Sequence, residues 1–246
     1  MKILRSNKIY FSLILVLALF SALNVFLPYG SILKQYELPA SKPIVALATF
    51  FLMLVVYGGL GFIGLELSKK LGFPEIWDNK ITNKQRFLIP GLIGTGIGLF
   101  FILVDISVHH LQPVWPIPHP EFPASIVASI TAGIGEEIMF RLFFISFWVW
   151  LLSFVIFRKK WKIQIFWVVA VFSAIVFAFA HMPSLMMLWG LTSIDKIPIL
   201  LLIEIILLNG VLSLFAAKYF KKYGLFAAIG IHFWADIVWH VIYGLI

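Results

Sequence analysis

The chain has 246 residues, of which 62% are hydrophobic and 12% charged, with a net charge of +8. A water-soluble domain is about half apolar and about a quarter charged, so this composition excludes a single soluble core and makes lipid the solvent for much of the surface. There is no cysteine, which removes disulfides, thiolate nucleophiles and Cys-ligated zinc; the positive charge fits lysines that hold loops on the cytoplasmic face, not nucleic-acid binding.

In chain order, seven apolar segments are each long enough for about 30 Å of hydrocarbon: Ile9–Leu27, Ile44–Leu67, Phe87–Val108, Ala124–Phe157, Ile165–Ala180, Ile197–Ala217 and Leu225–Ile246. The first lacks an Ala-x-Ala cleavage site and reads as a retained anchor, not a signal peptide. The fourth, at 1.5 Å per residue, would reach about 51 Å. It is either one long tilted helix or a crossing plus an interfacial segment. The expected fold is therefore an all-α polytopic helix bundle of seven spans, or eight if the fourth is split. Residues 1–120 supply N-terminal transmembrane helices and residues 121–246 a transmembrane core, within one integrated membrane domain.

Basic residues orient these spans. With the N-terminus cytoplasmic, the inside loops carry Lys2, Arg5, Lys8, Lys69, Lys70, Lys80, Lys84, Arg86, Arg158, Lys159, Lys160, Lys162, Lys218, Lys221 and Lys222. The outside loops carry only Lys34, Lys42 and Lys196, and Arg141 lies within a span. That asymmetry predicts an N-in, C-out protein in the cell membrane.

Ionisable groups within spans are costly and so are functional candidates. Glu66 reads as interfacial, and Asp105 and Glu204 as partners for polar groups on other helices. Glu136 and Glu137 are adjacent. Glu137 and Arg141, four residues apart, share a helix face and can pair. Glu136 lies about 100° round the helix, without that cation, as a general base for water would be; the alternative is that both glutamates serve a structural ion-pair network. His181 closes the fifth segment, either as a reactive group or as an interfacial cap. His232, Asp236 and His240 recur every four residues and form one polar stripe, which is either a site or helix–helix glue. His240, near the end, reads as interfacial. Counted along these spans, His181 falls near the outer face and His232 about 10 Å from the inner end. A carboxylate base with histidines to bind a metal or stabilise an oxyanion is hydrolytic chemistry. No serine elbow and no phosphate loop accompanies it.

Glu136-Glu137-x-x-x-Arg141, Phe177-x-x-x-His181 and His232-x-x-x-Asp236 resemble, in order, the three motifs of the CPBP (CAAX-protease and bacteriocin-processing) family of intramembrane proteases. The resemblance runs from about Ala124 to the C-terminus. It implies that Glu136 activates water with His181, that His232 and the fourth residue after it stabilise the oxyanion, and that Glu137 and Arg141 orient the site. It implies a peptide or protein substrate, lipidated or a leader peptide. The family has been described both as metal-dependent and as metal-free; a Glu136–His181–His232 set with an open fourth position is what Zn2+ would take. Two positions depart from the pattern. Asp236 stands where asparagine is frequent, and must be protonated, bind a metal or orient His232. Leu142 follows Arg141 where glycine is common. A catalytically idle binding or immunity-type protein and a proton-coupled transporter are the rival readings.

Overall fold

The structure is a computed structural model that describes residues 2–28, 38–111 and 117–246. Among these, every regular element is helical and no strand occurs. Seven helices are long and apolar enough to cross a membrane: α1 (Arg5–Asn24), α2 (Lys42–Lys70), α3 (Lys84–Leu111), α4 (Ala124–Ile156), α5 (Lys162–Leu188), α6 (Ile199–Tyr223) and α7 (Leu225–Leu245). These are the seven segments expected from hydropathy. The fourth is one continuous helix and not a crossing plus a separate interfacial piece.

In the most apolar window of α7, 56% of residues are buried, against 11% in α2. The last helix is therefore the centre of the bundle, and α2 lies at its edge. α7 packs on α3, α4 and α6, while α1 and α2 both pack on α4. Outward faces carry Leu92, Leu103, Val168 and Phe172, all exposed, as lipid-facing residues should be. Small residues set the close crossings. At Gly64 of α2, a Cβ would overlap the backbone of Leu142 and Phe143 on α4.

The connections have local causes. Gly224 joins α6 to α7 with φ 85°, a left-handed conformation that favours glycine, and lies against the carbonyls of Pro74 and Glu75. Arg86, one of the cations expected on the inside, is buried. It donates to the carbonyls of Asp78 and Ile81 at 2.7 and 2.9 Å and stacks on Trp77. Lys34 lies outside the described residues.

Several helices widen into π-helical turns. These occur at Met53–Tyr57 in α2, Lys84–Leu88 in α3, Glu137–Ile145 and Trp150–Ile156 in α4, and Ile237–Ile242 in α7. Such turns are uncommon and concentrate at functional sites. Three of these five border the polar centre described next.

Candidate active site

The polar centre begins on α4, where the helix passes into its π-helical stretch at Glu137. The wider turn still brings Glu137 and Arg141 together. Nε of Arg141 lies 3.1 Å from Oε2 of Glu137, and both side chains are fully buried. The guanidinium also sits 4.7 Å from the centroid of the Phe177 ring on α5. A buried cation needs both kinds of support, because desolvation otherwise outweighs the pairing.

The second oxygen of Glu137 reaches α7. His232 Nδ1 lies 2.8 Å from Oε1. That contact fixes the ring, so that Nε2 faces Oε2 of Glu136 at 3.8 Å and Oδ2 of Asp236 at 3.6 Å. Asp236 is thus beside His232, one turn further along α7.

His181 is the residue at which α5 turns from its long first segment into the short helix Met182–Leu188. Its Nδ1 bonds the carbonyl oxygen of Phe177 at 2.8 Å, which leaves Nε2 4.0 Å from Oε2 of Glu136. The Glu136 side chain is about a third exposed, while its Oε2, between the two imidazoles, is buried with no hydrogen-bond partner among the described residues. Phe177 organises the group: its ring is fully buried and lies edge-on to His181 and His232, 5.0 and 5.8 Å between centroids.

Counting from helix ends had put His181 and His232 at different depths. The structure brings both to one carboxylate. The error lies in the expected helix end: α5 runs on to Leu188, not to Ala180, so His181 lies within the helix and not at its end.

A cavity of about 540 Å³ opens at this point. Glu136, His181, His232, Asp236 and His240 line it, together with Tyr57, Asn209 and apolar residues including Phe101, Leu208 and Leu212. Among the described residues, no group of three or more His, Asp or Glu side chains is placed to hold a metal ion. No step below runs through a metal.

A second polar group adjoins the first. His240 is not a free interfacial residue. Its Nδ1 lies 3.1 Å from Nδ1 of His119, in the segment that precedes α4, and that ring also packs on Trp239 and Tyr243. Tyr243 donates to Asp105 of α3 at 2.9 Å, the kind of partner on another helix that Asp105 was expected to have. Burial pushes the His119 imidazole below its ordinary range, with Asp105 opposing. Sequence reasoning passed over His119, Tyr57 and Asn209. For Tyr57 and Asn209 the available signal was a hydrogen-bonding side chain within an apolar span.

Residues 118–238 match the family described as Type II CAAX prenyl endopeptidase Rce1-like. That stretch contains Glu136, Glu137, Arg141, His181, His232 and Asp236. No curated protein and no solved structure gives a significant match to the chain.

Proposed function

We propose, on the premise that residues 118–238 are a domain of the Rce1-like family of type II CAAX prenyl endopeptidases, that this multi-pass membrane protein is an endopeptidase whose base is Glu136. The observation that carries the reading is the position of Glu136 Oε2, 4.0 Å from Nε2 of His181 and 3.8 Å from Nε2 of His232. These separations are too long for direct hydrogen bonds and suit one water between the groups.

The chemistry follows from the placement. Glu136 takes a proton from the water, which His181 holds, as the water's oxygen attacks the scissile carbonyl carbon. The carbonyl oxygen becomes an oxyanion, and Nε2 of His232 donates to it. Glu136 then returns its proton to the leaving amine. Glu137 orients His232 through Nδ1, and Arg141 balances the charge of Glu137. Asp236, beside Nε2, holds the imidazole in the orientation that faces the cavity.

The substrate is a peptide or a protein tail that reaches the cavity from lipid or the interface, either prenylated or a leader peptide. The apolar walls contributed by Leu208, Leu212 and Phe101 favour an apolar residue next to the scissile bond. The test is cleavage of an internally quenched peptide library, with and without a prenylated cysteine, by detergent-purified protein. Cleavage that persists with a chelator present supports the metal-free route. Loss of cleavage that zinc restores replaces it with a metal-assisted one.

A further inference from the structure

The catalytic groups named so far come from α4, α5 and α7, all within residues 118–238. The cavity wall also includes Tyr57 of α2, a residue outside that stretch and outside every motif. Three features place it at the reaction centre. Its ring lies beside Gly135: a Cβ there would be in ordinary van der Waals contact with Cε1 of Tyr57, at 3.5 Å. The next residue after Gly135 is Glu136, which lines the same cavity as Tyr57. Tyr57 is also the last residue of the π-helical turn Met53–Tyr57, which gives it a position on α2 that a regular α-helical turn would not.

The backbone here is held from a third helix. Tyr10 of α1, fully buried, donates its hydroxyl hydrogen to the carbonyl of Gly58 at 2.5 Å and lies 3.5 Å from the carbonyl of Tyr57. The Tyr57 main chain is therefore anchored, while no hydrogen bond among the described residues engages its own hydroxyl. Elsewhere on the wall, Thr131 already donates to the carbonyls of Val127 and Ala128, and Asn209 to that of Ile205.

The site has a use for such a donor. Oδ2 of Asp236 stands 3.6 Å from Nε2 of His232, and an ionised carboxylate there repels a developing oxyanion. A neutral O–H group elsewhere on the cavity wall adds stabilisation without adding charge.

We propose that Tyr57 is a further catalytic residue, whose phenolic O–H donates a hydrogen bond to the carbonyl oxygen of the peptide bond attacked at Glu136. Tyr57 keeps its proton throughout. This rests on the endopeptidase reading above.

The experiment uses the full chain in detergent and the fastest-cleaved reporter from the quenched peptide library. Wild type, Tyr57→Phe and Glu136→Gln are compared by kcat, KM and thermal unfolding. Phenylalanine keeps the ring on Gly135 and removes only the hydroxyl. The expected result is a kcat lower by about 100-fold for Tyr57→Phe, KM within about twofold and unchanged unfolding. A Tyr57→Phe kcat above about half the wild-type value, with Glu136→Gln inactive, overturns the Tyr57 assignment alone. So does a lower unfolding temperature that accounts for the lost activity. Turnover by Glu136→Gln overturns Glu136 as the base, a wild type that cleaves no member of the library overturns the endopeptidase reading, and either result overturns this inference.

Discussion

Glu137 spans two helices: Oε1 lies 2.8 Å from Nδ1 of His232 on α7, and Oε2 lies 3.1 Å from Nε of Arg141 on its own helix. All three side chains are buried, so the carboxylate is held by one permanent cation and one imidazole with water excluded. Its neighbour Glu136 faces the cavity. Two consecutive residues thus have separate duties, one fixing the site and the other open to substrate.

Replacing Glu137 by glutamine leaves the Arg141 charge buried without a counter-ion. The expected cost is about 3 kcal/mol of stability, together with loss of activity as His232 loses its anchor. Thermal unfolding in detergent reads the first effect and peptide cleavage the second. An unfolding temperature equal to wild type contradicts this role.

Phe177 touches Arg141, His181 and His232 at once. Phe177→Leu keeps an apolar side chain but removes the ring face under the guanidinium. A cation–π contact in a desolvated site contributes about 2 kcal/mol, so a drop in stability of that order is expected. Cleavage should fall more than stability does, since both imidazoles lose the surface that sets their angle. Cleavage at the wild-type rate would show that the ring only fills space.

The His119–His240 contact makes stability depend on pH. Burial depresses the His119 pKa in the folded protein, with Asp105 opposing, and His240 and Tyr243 are the other groups against the ring. A histidine with a depressed folded pKa stays neutral when folded, while the unfolded chain takes up a proton below about pH 6.5. Its contribution to stability is present above that value and is lost as the pH falls. His119→Phe should flatten the decline of the unfolding temperature below about pH 6.5. A decline as steep as in wild type assigns the effect to other groups.

The expected orientation comes from 15 basic residues on one set of loops against 3 on the other. Reporter fusions at Ile246 and within the loop between Ser68 and Arg86 should then report opposite sides of the membrane. Reports from the same side contradict the arrangement.

Hydropathy sufficed for the seven helices, because a span must be both long and apolar. The spacing of Glu137 and Arg141 was legible for a similar local reason: residues four apart share a helix face. Asp236 was placed beside His232 on the same grounds. What hydropathy does not carry is how far α5 runs past Ala180, which is why His181 and His232 were expected apart. It also carries no sign of π-helical turns, so the hydroxyl of Tyr57 within an apolar span marks a polar group without setting it at the cavity. Glu136 was singled out because it lacked the cation given to Glu137. Its position between two imidazoles depends on α5 and α7, which no pattern within α4 encodes.

The central claim is that Glu136 is the base. Glutamine at this position keeps the shape and hydrogen-bonding capacity but does not take the water's proton. Turnover of a cleaved peptide by Glu136→Gln, measured beside its thermal unfolding, is the direct test. The account predicts no detectable cleavage with an unfolding temperature close to wild type. Near wild-type turnover by a folded Glu136→Gln protein contradicts it.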